Sequence, residues 1–581
     1  MIAIDFETFY GTGYSLTKLG TCEYVEHPKF NAYLVSLYGT NIEYVGPVEK
    51  APWHELADRV DFCAHNVSFD RAVFERLQRM AIIPAELSPV WTCTADMVAY
   101  FQLPRSLAGA CRELFASNLD KQVRADMRNK LPDALNRKQL EALYEYALED
   151  AKWCYKLWMT LAGGFPKNEL LLSRHGISSG LRGIKVNRSL LQSDIERLQM
   201  AKENLESKIP WADRANKVPI ASVLQIKAHC KSQNIEPPKS TASGSQEFEA
   251  WQYKNPDQEW ARTLQQWRSI NKHLRSCETV LRRSKGGTMP FQTKYFGAAI
   301  TGRWSGSTGF NMQNIPRDEV FGVNLRRHLT ARPGHKFIHC DLSQIEPRIL
   351  AWLSEDYGFL NYLREGMDPY EAHARATMKY VSPEPLATVD KKMRQIAKVR
   401  VLALGYGAAG PALKDFATKM GMDMTDLEAA QIVNDYRRES RHTTALWNKL
   451  GRAFKVAATQ RLDIFKVELK SGRTLNYYAP GSDLKASAVP GGTAFRWWGG
   501  KLVENLVQAT ARDYFADRYA ALLRCGYNVI WTVHDEVIVE AENDLAERYA
   551  ESIKDIMKTP PEWASGLPVD AHYTIASHYI K

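Results

Sequence analysis

Strand-like and helix-like hydrophobic patterns alternate in the first part of the chain. Short apolar segments at residues 2–6 and 32–38 have the content of strands, and longer segments at 68–80 and 137–160 repeat their apolar residues with a helical period. Alternating strands and helices are typical of an α/β layer structure. The pattern therefore predicts a compact α/β domain that closes near residue 165.

The next part of the chain is mainly helical, from about residue 185 to 285. The stretch EPPKSTASGS interrupts this pattern, because its Pro, Ser, Thr and Gly residues favour turns and loops. We therefore predict a separate helical lobe over about residues 185–285.

Strand-like segments return after SKGGTMP, and KFIHCDLSQIEPRILAWL has the pattern of a strand that runs through a turn into a helix. Helical patterns dominate residues 368–450, and strands reappear at 463–478 and 527–540. The helical block is therefore predicted to be an insertion between pieces of one sheet domain. The sequence shows no internal repeat and no run of 18 or more apolar residues, so no membrane-spanning helix is expected.

The charge balance changes this picture only slightly. The 76 basic and 66 acidic residues leave a formal net charge of +10, a moderate excess that suits nucleic acid without requiring it. One predicted helix is markedly basic, and its cations are Arg268, Lys272, Arg275, Arg282, Arg283 and Lys285. This helix is either a solvated face or a surface that binds phosphates.

The nine cysteines include no CxxC pair, so neither a disulfide framework nor a structural zinc site is expected. The opening strand MIAIDF lacks the features of a secretion or organelle-import signal. We therefore expect a cytoplasmic protein in a reducing compartment.

A first group of acidic residues lies in the predicted N-terminal domain. Asp5 and Glu7 stand two apart on a strand, so both point to one face, although a polar strand edge would show the same pattern. Asp70 follows in HNVSFD, and Tyr146 precedes Asp150 by one helical turn in YEYALED. Four converging carboxylates cannot all stay ionised without cations, which favours divalent metals. Two metals held in this way can activate a water for phosphodiester hydrolysis.

In their order and spacing, DFE, HNxxFD and YxxxD resemble the DEDD-type 3′-to-5′ exonucleases of the tyrosine-bearing subtype, which have a ribonuclease H-like fold. The resemblance covers about the first 165 residues and implies an exonuclease domain at 1–165. It implies that the four carboxylates bind two Mg²⁺ ions, while Tyr146 orients the nucleophilic water. His65 is expected to pack behind the site. A domain that has kept these residues without the activity is the alternative.

A second group of candidate residues begins in the C-terminal half. TGRWSGSTGFNMQNIP is too polar for a core, and its Arg303, Gln313 and Asn314 suit either an ordinary loop or contacts with phosphates and base edges. HCDLSQIEPRIL places Asp341 at the end of an apolar strand and Glu346 at the start of a helix. A carboxylate at a strand end is a common metal ligand.

Four residues at four-residue intervals follow in RQIAKVRVLALGYG, namely Arg394, Lys398, Leu402 and Tyr406. This spacing predicts that all four lie along one stripe of a single helix. A solvated amphipathic face is the alternative, but the two cations also suit a polyphosphate, with arginine as a fork and lysine as a point charge. Finally, WTVHDEVIVE puts an acidic pair at a predicted turn between two apolar strands.

Together these segments resemble the A, B and C motifs of family A DNA polymerases, the group of bacterial DNA polymerase I and its phage relatives. The matching residues are DLSQIE, RxxxK with the downstream YG, HDE and the preceding TGR and QNIP. The resemblance spans roughly residues 170–581 and implies a right-hand polymerase in a multidomain α/β chain. Its parts would be the thumb and palm entry at 166–300, the palm at 301–365 and 451–581, and the fingers at 366–450.

The resemblance also implies a role for each matched residue. Asp341 and Asp535, with the backbone carbonyl of Leu342, would hold two Mg²⁺ ions, for which Mn²⁺ can substitute here as at the exonuclease site. Arg394 and Lys398 would bind the triphosphate, and Lys398 would also protonate the leaving group. These residues would form the catalytic centre of synthesis.

The remaining matched residues would contact DNA or select the nucleotide. Tyr406 would pack near the templating base, and Glu346 would exclude a ribose 2′-hydroxyl by closing the space beside the sugar. Contacts with primer–template DNA are expected from Arg303, Gln313, Asn314, Gln508 and His534. Glu536 would support the metal site.

One matched position departs from the family. The residue four after the lysine of motif B is usually Phe or Tyr, and here it is Leu402. Leucine lacks the hydroxyl that substitutes for a missing 3′-hydroxyl on the nucleotide. We therefore predict strong discrimination against dideoxynucleotides.

The resemblance as a whole implies template-directed DNA synthesis with 3′-to-5′ proofreading. The expected partners are primer–template DNA and deoxynucleoside triphosphates, the expected state is a monomer, and a primase-helicase or processivity partner is left open. No 5′ nuclease is expected, so the organisation is most like a phage-type replicative polymerase acting in the host cytoplasm. A repair polymerase and a DNA-binding scaffold with an inert site are the alternatives.

Overall fold

The computed structural model describes residues 1–57, 59–119, 122–212, 218–307 and 310–580. Internal packing divides the chain into two units. The first unit consists of Met1–Leu181, Gln292–Gly309 and Ile338–Ile575, and the second of Arg182–Phe291, Phe310–Phe337 and Ala576–Lys581. This division differs from the predicted boundaries, because the N-terminal domain and the C-terminal sheet domain share one unit.

The N-terminal part of the first unit is a five-stranded mixed sheet with associated helices. Its strands are β1 (Ile2–Thr8), β2 (Ala32–Gly39), β3 (Ile42–Gly46), β4 (Asp61–Ala64) and β5 (Val90–Cys93). Their order is β3-β2-β1-β4-β5, antiparallel from β3 to β1 and parallel from β1 to β5. The helices are α1 (Leu16–Leu19), α2 (Thr21–Val25), α3 (Val67–Arg79), α4 (Thr94–Tyr100), α5 (Leu107–Phe115), α6 (Gln122–Asp126), α7 (Arg137–Leu161) and α8 (Lys167–Arg182). The predicted α/β character of this region is confirmed.

The two faces of β1 pack against different helices. Ile4 and Phe6 enter a core that includes Val73 of α3. Ala3 faces the other way and packs with Ala151 of α7. Because side chains alternate along a strand, every second residue from Ala3 onwards points to the α7 side. This alternation orients the acidic residues of β1.

The second unit is mainly helical, as predicted. Its first elements are β6 (Ile184–Val186), α9 (Arg188–Ser207), α10 (Val223–Ser232), α11 (Gln246–Lys254), α12 (Glu259–Arg283) and β7 (Thr288–Met289). The interruption EPPKSTASGS lies between α10 and α11. Phe248, Trp251 and Trp260 form a small aromatic core together with Ile226 and Leu264. The lobe therefore has hydrophobic packing of its own.

Short strands connect this lobe to the sheet that follows. β8 (Thr293–Lys294) and β9 (Ser305–Gly306) form an antiparallel ribbon of the first unit, and the loop between them carries Arg303. β10 (Leu329–Thr330) belongs to the second unit, where the strand order is β10-β6-β7.

A long helical insertion interrupts the C-terminal sheet domain, as predicted. β11 (His335–Leu342) leads into α13 (Ile345–Leu353). The inserted helices are α14 (Tyr357–Arg364), α15 (Pro369–Thr377), α16 (Leu386–Val389), α17 (Lys391–Val399), α18 (Gly410–Lys419), α19 (Asp426–Glu439) and α20 (Arg441–Thr459). The chain returns to the sheet only after this block.

The predicted strands at 463–478 exist, but they do not join the sheet of β11. They are β12 (Ile464–Glu468) and β13 (Thr474–Tyr478), which pair as a hairpin and continue into β14 (Lys485–Ser487) and β15 (Ala494–Arg496). The predicted sheet domain therefore contains a second sheet beside the one that β11 joins. The backbone hydrogen bonds of this segment are satisfied by strands that are near it in sequence, and these strands form a second sheet.

The final elements complete the sheet that carries motif A. They are α21 (Gly499–Arg524), β16 (Val529–Val533), β17 (Glu536–Glu542), α22 (Ala546–Lys558) and β18 (Ala571–Ala576). The strand order is β16-β17-β11-β18. The largely buried α21 packs against α13, α20 and α22. Across the residues that the structure describes, no helix is long and apolar enough to cross a membrane.

Candidate active sites

The acidic residues of the N-terminal domain meet beside β1. Asp5 and Glu7 share the face of β1 that points to α7, and both are half-buried. Asp70 lies in the first turn of α3 and is only 3% exposed. Its Oδ1 atom accepts a hydrogen bond from the backbone N–H of Phe6 at 3.4 Å. The start of α3 is therefore held directly against the acidic strand.

The charges of this cluster act on one another. Burial raises the pKa of Asp70 well above its usual range, and the neighbouring Asp5 and Glu7 raise it further. Burial also raises the pKa of Tyr146, and so do Asp150, Glu7 and Asp5. The structure therefore brings together all five residues that the sequence singles out in this domain.

Hard divalent cations fit this cluster chemically. The donors are carboxylate oxygens, and the ionised form of Asp70 is opposed by two like charges that a cation would offset. Throughout the described residues, no group of three or more His, Cys, Asp or Glu side chains is arranged to hold a metal ion.

Asp70→Asn is expected to stabilise the metal-free protein at alkaline pH. The folded state favours protonated Asp70, so the stability associated with this group is lost as pH rises through its raised folded pKa. Asparagine keeps an acceptor for the N–H of Phe6 but cannot ionise. In a chelator at pH 8, Tm should rise by about 2–4 °C, the shift that 1 kcal/mol produces in a domain of 150–250 residues.

The matched control for this measurement is Asp133→Asn, at an exposed position of the same domain. Calorimetry between pH 4 and pH 8 should show the advantage of Asp70→Asn shrinking as the pH falls, while the control shows none. A Tm difference that does not change with pH would contradict the electrostatic explanation.

Arg124 belongs to this cluster, and no sequence motif pointed to it. It lies on the five-residue helix α6, and its backbone carbonyl accepts a hydrogen bond from the Tyr10 hydroxyl. Its side chain is exposed as a whole, and partial burial of its charged group lowers its pKa, but Glu7, Tyr146 and Asp5 raise it, so that the net shift is upward. A single arginine on a short helix carries no recognisable spacing. His65 lies behind the site, where its ring nitrogens contact Thr94 Oγ1 at 3.0 Å and the Arg105 carbonyl at 2.9 Å.

The hairpin of β16 and β17 places the second pair of candidate metal ligands. The predicted turn is present: Val533 pairs with Glu536, so His534 and Asp535 form a two-residue turn, but Glu536, also predicted at the turn, already begins β17. His534 is exposed and adopts a left-handed conformation with φ of 55°. The backbone N–H of Leu342 donates to the carbonyl of Asp535 at 3.3 Å. This bond joins the end of β11 to the hairpin turn and brings Asp341 beside Asp535.

The acidic pair at this turn divides into two environments. Asp535 is half-buried in the turn, whereas Glu536 begins β17 and is 3% exposed. Glu536 Oε1 lies 3.2 Å from Nδ1 of His339, a buried residue of β11. A buried carboxylate is costly without a partner, and this contact supplies one. Glu536 therefore joins two strands from within the core.

The prediction of a single helical stripe is wrong beyond Val399. Arg394 and Lys398 lie on α17, but the chain then forms a π-helical turn at Arg400–Leu404, and Tyr406 follows that turn. A π turn contains an extra residue, so it changes the direction of the side chains that follow. Leu402 is 38% exposed, whereas Tyr406 is directed inward.

The two cations of α17 share their surroundings. Arg394 Nη1 forms an ion pair with Asp368 Oδ2 at 2.9 Å. The charged groups of Arg394 and Lys398 lie 5.5 and 6.0 Å from the ring centre of Tyr370. Burial raises the pKa of Tyr370, and the nearby side chain of Gln344, three residues after Asp341, opposes this shift. The cationic face therefore adjoins the end of β11.

Glu346 joins residues from three separate segments. It accepts a hydrogen bond from Arg303, and its Oε2 accepts another from the Tyr406 hydroxyl at 3.1 Å. Burial raises the pKa of Tyr406, and the adjacent Glu346 raises it further. The structure thus brings together three candidates that sequence spacing could not connect.

The remaining DNA-contact candidates are distributed over both units. Gln508 lies on α21, and its side chain donates to Glu504 at 3.4 Å. Gln313 and Asn314 lie in a 3₁₀ turn of the second unit, where Gln313 is buried and Asn314 is exposed. Their contacts with DNA stay predictions.

Comparisons with known proteins find likenesses to DNA polymerases. Residues 188–459 match the profile of DNA polymerase family A. The DNA polymerase of Bacillus phage SP02 is 26% identical over all of this chain and 99% of that protein. The DNA polymerases I of Chloroflexus aurantiacus and Pseudomonas aeruginosa are 30% and 31% identical over 45% and 52% of this chain. Those alignments cover only 26% and 31% of the bacterial proteins.

A solved structure shows the same fold. It is the polymerase domain of Pol1 from M. smegmatis in complex with DNA primer-template and dNTP. The TM-score is 0.68 at 15% identity, over 100% of this chain and 95% of that one. The predicted multidomain α/β class is thereby confirmed. Residues 188–459 thus match a family A DNA polymerase domain, and the likeness to the solved structure extends the agreement in fold over the whole chain.

Proposed function

We propose that this chain extends a DNA primer on a template by transferring nucleotides from deoxynucleoside triphosphates. The observation that carries this proposal is the junction of β11 with the β16–β17 turn, where the bond from Leu342 to Asp535 brings two candidate ligands together. The cations of α17 adjoin the same strand end. Extension by the wild type and by Asp535→Ala tests the proposal, as described in the Discussion.

The side chains divide the proposed reaction among them. Asp341, Asp535 and the Leu342 carbonyl would hold Mg²⁺, which supplies charge stabilisation for phosphoryl transfer when it is bound. Arg394 would leave Asp368 to grip the triphosphate as a bidentate fork. Lys398 would bind beside it and donate a proton to the departing pyrophosphate.

The residues around Glu346 would select the substrate. Its carboxylate, held by Arg303 and Tyr406, would close the space beside the sugar and exclude a ribose 2′-hydroxyl. Arg303 and Gln508 would contact the minor groove of primer–template DNA, where correct pairs share acceptors. His534, exposed at the hairpin turn, would contact the primer terminus.

We further propose that the N-terminal domain removes mispaired nucleotides from the 3′ end. The acidic cluster supports this activity, because like charges gathered around buried Asp70 call for divalent cations. Tyr146, hydrogen-bonded to Asp150, would orient the attacking water. The two acidic clusters lie on different sheets, so the two activities should be separable by mutation.

Replication is the proposed setting, and a repair role is the second candidate. The phage polymerase that aligns with the whole chain favours the first. The long α12 carries the basic residues predicted to bind duplex phosphates, which both roles require. Synthesis over long single-stranded templates, compared with filling of short gaps, separates the two roles.

Leu402→Tyr is expected to relax discrimination against dideoxynucleotides. Leu402 is exposed on the π turn that follows Lys398, so a tyrosine hydroxyl could reach the sugar of an incoming nucleotide. One hydrogen bond to such a group is worth about 0.5–1.5 kcal/mol, which corresponds to roughly two- to tenfold in selectivity. Primer extension with mixed deoxy- and dideoxynucleotides measures the ratio.

Leu427→Tyr is the matched control, because Leu427 is an exposed leucine on α19 of the same helical block. It should leave the ratio unchanged. Near-equal use of both nucleotides by the unaltered enzyme would refute the prediction.

A further inference from the structure

The backbone of the loop that carries Arg303 is held by three arginines. Arg105 Nη1 donates to the carbonyl of Tyr295 at 2.7 Å. Arg473 donates to the carbonyls of Ile300 and Thr301, at 3.4 and 3.1 Å, and Arg512 Nε donates to that of Gly302 at 3.0 Å. Four carbonyls between β8 and β9 therefore have charged donors.

Arg512 is the most enclosed of these arginines. It is 2% exposed on α21, and its Nη2 donates to Glu169 Oε2 of α8 at 2.7 Å. The Tyr295 hydroxyl donates to the same carboxylate oxygen at 2.6 Å. Burial raises the pKa of Glu169, but Arg512, Tyr295 and Arg473 together lower it below its usual value, so Glu169 stays an anion. Nη1 of Arg512 also donates to Glu169, so all three guanidinium nitrogens have acceptors.

A second ion pair supports the same loop. Arg473 Nε donates to both carboxylate oxygens of Asp513, at 2.9 and 3.1 Å, and Ser471 Oγ donates to Asp513 at 2.6 Å. Because Asp513 adjoins Arg512 on α21, the helix presents one cation and one anion to the loop. Buried charges in this arrangement are paired and cannot shift independently.

Aromatic rings and close backbone packing remove the remaining freedom. The Arg512 guanidinium lies 4.5 Å from the ring centre of Phe296 and 4.7 Å from that of Trp304. Gly302 has φ of 76°, and a Cβ atom there would come within 2.5 Å of the Phe296 ring. The backbone of Gly302, one residue before Arg303, is thus fixed by the hydrogen bond from Arg512, by the Phe296 ring and by its positive φ angle.

We propose that Arg512 is a positioning residue of the polymerase site, which acts through this loop to hold Arg303 beside Glu346. The proposal rests on the proposed function, because Arg303 must contact the primer–template for its position to affect synthesis. A long side chain reaches a fixed target reliably only from a fixed backbone, and small misplacements near a reacting centre can cost 10²-fold in rate. Loss of Arg512 should therefore weaken the rejection of mispaired primer ends.

A double-mutant cycle tests this proposal. Arg512→Lys keeps the charge but removes the fork, and Tyr295→Phe removes only the hydroxyl bond to Glu169. Both are made with and without Arg303→Ala, in protein carrying Asp5→Ala so that mispaired ends are not degraded. Single-turnover kinetics give the maximal rate and the nucleotide affinity on matched and mispaired primers.

We expect Arg512→Lys to lower the matched rate by about tenfold, to change nucleotide affinity less than twofold, and to reduce discrimination against mispairs. Tyr295→Phe should act in the same direction with a smaller effect. In the Arg303→Ala background both effects should fall below twofold, because the residue they act through is gone.

Effects that simply multiply with that of Arg303→Ala would overturn the proposal, since a merely structural role is independent of Arg303. Absence of template-directed extension by the parent protein would instead overturn the proposed function. Arg524→Lys, at an exposed position of α21, is the control and should match the parent. If Arg512→Lys does not fold, as judged by its Tm, the cycle with Tyr295→Phe decides the question alone.

Discussion

Replacing Asp535 by alanine is expected to lower primer extension in Mg²⁺ by at least about 10³-fold. A metal that neutralises a transferring phosphoryl group is worth several kcal/mol, and about 4 kcal/mol corresponds to this factor. Asp535 lies in the hairpin turn, and its backbone carbonyl accepts a hydrogen bond from Leu342. Few other groups could therefore take its place beside Asp341. Timed extension of a labelled primer gives the rate.

The control for this variant is Asp544→Ala, at an exposed position just beyond β17. It should extend primers at the wild-type rate. Equal rates for the wild type and Asp535→Ala would refute the assignment and favour a DNA-binding scaffold with an inert site. Degradation of 3′ ends by Asp535→Ala should persist, which also shows that the variant is folded.

Replacing Asp5 by alanine is expected to abolish degradation of 3′ ends while synthesis continues at near the wild-type rate. Asp5 shares one face of β1 with Glu7 and acts on the ionisation of both Asp70 and Tyr146, so its loss removes a central charge of the cluster. A fall of about 10³-fold or more is the scale expected when a ligand of a catalytic metal is lost. Release of nucleotides from single-stranded DNA measures this activity.

Asp133→Ala, at an exposed position of the same domain, is the matched control and should retain degradation. Loss of both degradation and synthesis in Asp5→Ala would argue against separate sites. Unchanged degradation would favour the alternative of a fold that has kept its residues without the activity.

The two acidic neighbours at the hairpin turn show how far sequence reasoning reached. The apolar residues on both sides of HDE in WTVHDEVIVE predict two strands and a turn, and the structure confirms them. Local pattern could not tell that Glu536 turns into the core, because its partner His339 is 197 positions away in the chain. The difference between the two acids depends on which strand lies beside β17.

The helix of motif B shows a different limit. A four-residue interval describes a regular α-helix, and that geometry holds for Arg394 and Lys398 on α17. The π turn at Arg400–Leu404 contains more residues per turn than an α-helix, so side chains four positions apart no longer lie on one face. The opposite environments of Leu402 and Tyr406 could not therefore be read from the interval alone.

By itself, the sequence determined the alternation of α/β and helical regions, the order of the motifs and the chemical types of the candidate residues. These features depend on the periodicity and spacing of residues that are near one another along the chain. Only the tertiary structure decided that Glu346 joins Arg303 to Tyr406, that Arg124 enters the acidic cluster, and that Arg512 pairs with Glu169 from 343 positions away. The physical reason is that these contacts join charged or polar groups far apart in the chain, and their partners are chosen by how sheets and helices pack.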